Sequence, residues 1–306
     1  MSSPASLAKK GPNVLRGMIL VMAAATCFAF LDSTAKWLSQ FYPTGQVVWT
    51  RYLVGTVFAI AVATRALGFG MFRTKRPWLQ VARGALLVVC TALNFLALRY
   101  LPLADTLALL FTAPLMTCAL SVPLLGEKVG WRRWSAIAVG FAGILLIVRP
   151  GFGEVHWAML CSIASAFFGA IYNIVTRMVA GHDDVKVSLV YVSLIGCIVA
   201  TPALGLGFTT PEGWHWLVFV ALGLFGGCGH LLLISAFSHA SASALAPFSY
   251  TQIIGSTILG YLLFDRLPDL WTVAGIAVII SSGLYLLHRE RVLRRGVTAL
   301  AEPQER

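Results

Sequence analysis

Residues 240–291 read ASASALAPFSYTQIIGSTILGYLLFDRLPDLWTVAGIAVIISSGLYLLHRER. Two apolar runs, roughly 242–264 and 270–287, flank a short polar segment (DRLPD) at 265–269. Each run is close to the ~20 residues that an α-helix needs to cross the hydrocarbon core of a bilayer. The first run contains Pro247, which frees a backbone carbonyl one turn earlier and favours a kink. This stretch therefore predicts two membrane helices, the first of them kinked.

The same design occurs about 139 residues earlier, at residues 97–150. An apolar run containing Pro114 is again followed by a short charged segment and then by a second apolar run that contains glycines. Similar matches continue toward the N-terminus, so the chain consists of two copies of one unit. Each copy predicts five spans, which gives an all-α polytopic membrane protein with ten transmembrane helices: about 17–38, 45–67, 79–99, 103–125, 132–149, 156–178, 186–207, 213–236, 242–264 and 270–288.

The composition excludes a soluble globule. Hydrophobic residues make up 58% of the 306 positions, charged residues 11%, and the mean hydropathy is +0.82. Soluble domains carry about 25% charged residues. The net charge of +11 is attributed to cytoplasmic loops facing anionic lipid, and no nucleic-acid partner is expected.

The distribution of lysine and arginine predicts the orientation. Most of the 23 Lys and Arg residues fall on one side of the predicted spans, which by the positive-inside rule is the cytoplasm. Both termini are then cytoplasmic: a segment at 1–16 precedes the first repeat (17–150), and a tail at 289–306 follows the second (151–288). Five helices per copy is an odd number, so the repeats are expected to be inverted, a common plan of secondary transporters. Parallel repeats and a packing coincidence are the alternatives.

Three charged residues are predicted to meet near the outer side. Asp32 and Lys36 lie one helical turn apart, with the acid first, and Arg51 enters from the same side on the second helix. At ~1.5 Å per residue, Asp32 and Arg51 each lie roughly 9 Å below the boundary. Because an ion inside the membrane must be paired or wet, we expect either a gate and charge site or a structural ion pair with Lys36 reaching the interface.

Other polar side chains lie deep in the spans and either bridge helices or line a wet cavity. They supply amide, hydroxyl and imidazole groups, and with two nearby aromatic residues they form the candidate substrate-binding set: Asn94, Tyr172, Asn173, His230, Ser249, Tyr250, Gln252, Trp49 and Phe28. A lone membrane histidine is more often an interhelical hydrogen-bond partner than a proton carrier, but His230 is the best internal titratable group near neutral pH.

Motifs for other chemistry are missing. The six cysteines lie singly in apolar runs, and there is no metal-ligand spacing, nucleotide-binding loop or nucleophile–base set. Neither a cofactor, a metal nor an enzymatic activity is expected.

Four short motifs carry a family resemblance: LRYLPLAD at 98–105, LGEK at 125–128, IVRPG at 147–151 and APFSY at 246–250. Over about 15–290 the chain resembles the drug/metabolite transporter superfamily, specifically the ten-helix EamA type with two five-helix repeats. Among its members it looks most like the YddG-type exporters of aromatic and other amino acids.

The resemblance implies a secondary carrier in a bacterial inner membrane that works by alternating access through a central cavity. The candidate residues suit a neutral zwitterion such as phenylalanine, tryptophan or methionine, because polar groups would hold its charges and aromatic rings its side chain. They suit a phosphate ester less well, since the sequence indicates no arginine cluster at mid-depth. Riboflavin, S-adenosylmethionine or another flat metabolite is the alternative substrate, and a non-transporting scaffold is the alternative class. Outward movement follows from the resemblance alone, and the oligomeric state stays open.

Overall fold

The computed structural model describes residues 14–126, 129–150, 156–179, 182–237, 239 and 242–301. Most of the predicted N-terminal segment and the end of the tail lie outside them. The described residues form helices and turns, with no strand among them. The helices are α1 (Val14–Leu38), α2 (Thr44–Leu67), α3 (Pro77–Tyr100), α4 (Leu103–Leu110), α5 (Ala113–Leu125), α6 (Trp131–Val148), α7 (Ala158–Val179), α8 (Val185–Ala200), α9 (His215–Phe237), α10 (Ala242–Ser249), α11 (Thr251–Phe264) and α12 (Leu270–Ala301).

Eight helical segments of the described chain are long and apolar enough to cross a membrane. They comprise α1, α2, α3, the α4–α5 segment, α6, α7, α8 and α9. This confirms the prediction of an all-helical polytopic membrane protein. The remaining predicted spans correspond to α10–α11 and to the apolar part of α12, Leu270–Leu286. The helix α12 runs on to Ala301, beyond the predicted end of the span at 288.

Both proline-bearing runs are interrupted. The helices α4 and α5 are separated at Phe111–Thr112, and Pro114 occupies the first turn of α5, where a missing N–H is harmless. The helices α10 and α11 are separated at Tyr250, three residues after Pro247. The second interruption thus lies in the proline-bearing run for which the sequence predicts a kink, three residues after the proline.

The helices pack in a repeating scheme. The helix α1 lies against α9 and α3 lies against α7, while α2 packs on α8 and α6 on α12. Glycines make the last contact close: a Cβ at Gly143 would lie 2.8 Å from Ile279 Cγ1 and 3.1 Å from the carbonyl oxygen of Gly275. Small residues permit such backbone approach between membrane helices, where van der Waals packing replaces the hydrophobic effect.

One polar cluster, the Tyr42 cluster, ties the α1–α2 turn to the segment before α9. The Tyr42 hydroxyl lies 2.6 Å from His215 Nδ1 and accepts a hydrogen bond from the Glu212 N–H. One turn into α2, the Gln46 side chain donates to the Thr209 carbonyl and accepts from the Thr209 N–H. These contacts satisfy backbone groups that would otherwise be unpaired where the chain enters α9.

A second cluster, the Asp183 cluster, ties the α7–α8 turn to the start of α3. The Asp183 carboxylate accepts hydrogen bonds from the Thr74 hydroxyl, the Lys75 N–H and Gln80 Nε2. Partial burial raises the pKa of Asp183, but these donors outweigh it, so the net pKa lies below its ordinary value of 3.8. Because α2 runs between the two regions, the clusters lie at opposite ends of the bundle.

Candidate functional site

A buried carboxylate joins three helices. Asp32 on α1 is 5% exposed. Its Oδ1 accepts a hydrogen bond from Asn94 Nδ2 on α3 at 3.2 Å, and its Oδ2 accepts one from Gln252 Nε2 on α11 at 3.1 Å. Three polar residues that the sequence analysis singled out from distant segments therefore meet at one point, and the elements that hold Asp32 come from both predicted repeats.

Arg51 on α2 lies beside this carboxylate without touching it. Its Nη1 donates to the Thr91 hydroxyl at 2.8 Å, and its guanidinium lies over the rings of Tyr52 and Phe95, 4.7 and 5.8 Å from their centroids. The charge of Arg51 acts on Asp32, but the two groups do not approach within the 4.0 Å of an ion pair. The Nε of Arg51 has no hydrogen-bond partner although the residue is 7% exposed.

Lys36 does not join this cluster, contrary to the prediction of one three-residue group. Its Nζ donates to the carbonyl oxygens of Leu98 and Leu101 at 2.7 and 2.6 Å, and lies 5.3 Å from the centroid of the Phe264 ring. The physical reason is that the last carbonyls of α3 lack partners within the helix and carry its negative dipole end, which attracts a cation.

A small cavity extends from Arg51 toward His230. Its volume is about 20 Å³, room for about one water molecule. Besides Arg51 and His230, its wall includes Tyr52, Ser193 and a run of glycines on α9. The His230 ring makes an edge contact with Phe28, 5.1 Å between centroids. In this conformation the helices close tightly around the charged residues.

Arg83 on α3 is a buried charge that the sequence analysis did not single out. It is 6% exposed, its Nη2 donates to the Ser188 carbonyl at 3.3 Å, and its guanidinium lies 5.7 Å from the Tyr172 ring. It is one of the lysine and arginine residues from which the orientation was predicted, because it lies near the start of a predicted span. Its position six residues inside an apolar helix was the signal that could have identified it.

The remaining candidates lie elsewhere. Asn173 is exposed on α7, and the Trp49 indole donates to the Thr201 hydroxyl at 3.2 Å, on the side of α2 that faces α8. Ser249 is half-buried. Tyr250 is buried against Phe111 with its hydroxyl over Gly283, in the apolar core between α4 and α12. The structure therefore brings Asn94 and Gln252 to Asp32 and places Arg51 beside it, and it joins His230 to Arg51 through the cavity and to Phe28 by a ring contact. It does not bring these four residues to Asp32.

A wide groove opens at the end of α1 that contains Lys36. Its volume is about 950 Å³, and its walls include Lys36, Tyr100, Phe264 and Arg266 from α1, α3 and the α11–α12 turn. Asp32 is one helical turn further along α1, roughly 6 Å deeper. The groove therefore ends one turn short of the buried carboxylate, with the Lys36 contacts between them.

The EamA-like transporter family model matches this chain twice, at residues 15–149 and 156–287. The chain belongs to this family. It is accordingly a multi-pass membrane transporter of a small molecule rather than an enzyme, and a bacterial plasma-membrane location is implied.

Curated relatives of this EamA-family chain carry several different names. It is 26% identical to the S-adenosylmethionine uptake transporter of Rickettsia bellii, with 85% of this chain and 89% of the relative covered. It is 29% identical to the riboflavin transporter of Vibrio cholerae (90% and 94%) and 28% identical to the pseudopaline exporter CntI of Pseudomonas aeruginosa (88% and 95%). These names support the alternative substrates of the sequence analysis, S-adenosylmethionine and riboflavin, more than its preference for an aromatic amino acid.

A solved crystal structure of another protein has the same fold as this EamA-family chain. The alignment covers 92% of this chain and 98% of the other, with a TM-score of 0.63 at 21% identity. At that identity the similarity concerns the fold and not the substrate.

Proposed function

We propose that this protein is a secondary carrier of a flat-ringed metabolite that bears a cationic group, the class to which S-adenosylmethionine belongs. The observation that carries the proposal is Asp32, a buried carboxylate held by Asn94 and Gln252 from two other helices. An ionisable group inside a membrane bundle is costly and marks a substrate or ion pathway. Its oxygens can accept hydrogen bonds from an ammonium and attract a sulfonium by charge, and the rings of Phe28 and Phe95 lie nearby for a purine.

Several named relatives support S-adenosylmethionine as the first candidate substrate. The S-adenosylmethionine molecule combines a sulfonium, an α-amino acid and an adenine, and several relatives that cover most of this chain are named for its uptake. Amino acid export, the preferred interpretation from sequence, is ranked below it because no relative described above is named for an amino acid. The α-amino acid group is nevertheless common to both substrate classes, so the polar groups assigned from sequence keep their role.

Riboflavin is the second candidate. Relatives named as riboflavin transporters are 26% and 29% identical to this chain. The aromatic rings around Arg51 and His230 would accept an isoalloxazine as well as a purine. Riboflavin is neutral, however, and would leave the buried carboxylate and guanidinium without a charged partner.

The architecture proposed for this carrier is two inverted five-helix repeats. Four helix contacts support it: α1 on α9 mirrors α3 on α7, while α2 on α8 and α6 on α12 would each lie across the pseudo-two-fold axis. The two polar clusters also correspond. Tyr42 and Asp183 occupy matching turns of the two repeats, and each holds a backbone N–H of the loop that precedes a long helix, at opposite ends of the bundle.

Alternating access would act on the closed cavity. The groove beside Lys36 stops one turn above Asp32, and the cavity beyond it holds about one water molecule. A metabolite the size of S-adenosylmethionine cannot fit there until the helices that line it, α2, α3, α8 and α9, move apart. We assign the groove to the outer side and both termini to the cytoplasm on the positive-inside rule.

Purified protein in proteoliposomes tests the proposal. Radiolabelled S-adenosylmethionine, riboflavin, phenylalanine, tryptophan and methionine are offered singly, with empty liposomes as the background. We expect uptake of S-adenosylmethionine above that background, with competition by unlabelled S-adenosylmethionine. Transport of riboflavin alone selects the second candidate, and transport of the amino acids alone restores the sequence-based preference. A protein that moves none of the five solutes refutes the proposed substrate class.

A further inference from the structure

Two backbone carbonyls at the end of α3 have no donor within their own helix. In a continuous helix the carbonyl of Leu98 would accept from the N–H of residue 102, but Pro102 has no N–H. The carbonyl of Leu101 lies just before α4, whose backbone hydrogen bonds begin at the Pro102 carbonyl. Leu98 is 1% exposed and Leu101 is 4% exposed, so both carbonyls need a donor from elsewhere in the protein.

Lys36 supplies both donors from another helix. Its Nζ donates to the Leu98 oxygen at 2.7 Å and to the Leu101 oxygen at 2.6 Å. The same nitrogen lies 5.3 Å from the centroid of the Phe264 ring, at the end of α11. Hydrogen bonds from a charged donor are stronger than those between neutral groups. One ammonium on α1 thus ties together the ends of α1, α3 and α11, and we call these contacts the Lys36 latch.

The same three helices meet again one turn deeper, at Asp32. This carboxylate on α1 is held by Asn94 on α3 and by Gln252 on α11. On α1 the two levels are four residues apart, from 32 to 36, and on α3 they are again four residues apart, from 94 to 98. Four residues of helix correspond to about 6 Å. The Lys36 latch therefore forms a layer between Asp32 and this end of the bundle.

The wide groove ends at this layer. Its wall contains Lys36, Leu101 and Phe264, which are the donor, one acceptor and the ring of the latch. On the groove side the open volume is about 950 Å³, whereas Asp32 on the other side of the latch is 5% exposed. A solute that moves from the groove to Asp32 between these helices has to pass the latch, so the ammonium must first leave the two carbonyls.

We propose that Lys36 is the gate residue between the groove and the proposed substrate site at Asp32. Its ammonium closes the path while it is bound to the Leu98 and Leu101 carbonyls, and the path opens when the ammonium swings away. A lysine suits this role because its charge sits on a flexible four-carbon stem. This inference rests on the proposed carrier function and adds to it the residue that controls access to the site from the groove.

Cysteine labelling at the level of Asp32 tests this inference. Asn94→Cys and, separately, Gln252→Cys place a thiol beside Asp32 from two different helices, so one reporter remains if the other variant fails to fold. The purified protein in detergent is treated with a polar maleimide, and mass spectrometry of its peptides gives the labelling rate at the reporter position. Adding Lys36→Met keeps the length of the side chain but removes the ammonium. We expect it to raise the labelling rate roughly 10- to 100-fold, the factor by which one hydrogen bond to a charged group shifts an equilibrium.

Two further variants serve as controls in both reporter backgrounds. Lys75→Met removes an exposed lysine side chain beside the Asp183 cluster, at the opposite end of the bundle, and should leave the labelling rate within about twofold. Lys36→Arg retains a cationic donor and should be labelled more slowly than Lys36→Met. A cooperative melting transition in each variant shows that the labelling reports the gate and not unfolding.

The outcomes distinguish this inference from the carrier function itself. An unchanged labelling rate in Lys36→Met overturns the inference, and so does an equal rise in Lys75→Met or in Lys36→Arg. Because labelling needs no substrate, a rise that is largest in Lys36→Met supports the gate even if proteoliposomes transport none of the five solutes. Conversely, an unchanged rate in a protein that transports S-adenosylmethionine leaves the carrier function standing and removes the gate.

Discussion

Replacing Asp32 with asparagine is the most direct perturbation of the proposed site. The change keeps the size of the side chain and removes its charge. An asparagine offers one acceptor oxygen where the carboxylate offers two, so either Asn94 or Gln252 loses its hydrogen bond unless its amide turns over. If neither amide turns over, the amide nitrogen of the new asparagine faces the amide nitrogen of its neighbour, which is also a donor.

The magnitude follows from the contacts. A hydrogen bond to a charged group contributes about 1.5–3 kcal/mol, which corresponds to roughly a 10- to 100-fold change in an equilibrium or rate constant. If Asp32 binds the cationic group of the substrate, losing this contribution lowers the rate of transport. We therefore expect the initial rate of S-adenosylmethionine uptake at subsaturating concentration to fall by roughly 10- to 100-fold, while the melting temperature in detergent falls by less than about 5 °C.

The assay compares Asp32→Asn with Asp184→Asn in proteoliposomes of equal protein content. Asp184 is exposed and caps α8 by accepting a hydrogen bond from the Lys186 N–H, a role that asparagine fills equally well, so it is a suitable control. Gln252→Ala is added because it removes one of the two donors. If Asp32 acts through this network, the double variant should lose less than the product of the single losses. Uptake by Asp32→Asn at the wild-type rate would show that the carboxylate has a structural role only.

Asp183→Asn should lower the melting temperature by roughly 2–6 °C at pH 7. The folded-state pKa of Asp183 is lowered, so its contribution is present above 3.8 and lost at lower pH; the gap to wild type should close there, and a constant gap would refute this assignment. Gly143→Ala should cost about 1–3 kcal/mol of stability because its Cβ would lie 3.1 Å from a backbone oxygen, whereas Gly70→Ala, with no atom within 4 Å, should be neutral. Equal melting temperatures would contradict this. Tyr42→Phe should speed hydrogen exchange at Glu212, whose N–H it releases; unchanged exchange there, measured by mass spectrometry, would show that the contact does not protect the amide.

The helices were predictable because a bilayer imposes a simple requirement on sequence. A backbone that crosses hydrocarbon must satisfy its own hydrogen bonds within an apolar segment of about 20 residues. Hydropathy therefore located the eight span-length segments of the described chain to within a few residues. The helix α12 continues to Ala301, beyond the predicted span, since helix formation does not require an apolar sequence. Hydropathy could not place the interruption at Tyr250, because the effect of Pro247 depends on how neighbouring helices satisfy the freed groups.

The site was predictable where a residue was anomalous in its own segment. Asp32, Asn94 and Gln252 stand out as polar side chains in apolar runs, and they meet. The partner of Lys36 could not be read from local spacing. An i,i+4 pair with Asp32 was the reasonable expectation, but the α3 carbonyls that bind it lie 62 and 65 residues away in the chain.

The most informative feature of the site is that Asp32 and Arg51 share one apolar interior without forming an ion pair. Each is held by neutral groups instead, the carboxylate by two amides and the guanidinium by a hydroxyl and two rings. A direct pair would have to be broken, at a cost of several kcal/mol, before either charge could bind a ligand. Neutral partners fix the orientation of both groups and can be exchanged for a ligand at less cost. A zwitterion inserted between them would gain both charges at once, whereas a neutral ring would gain neither, which is the physical basis for ranking charged metabolites above riboflavin.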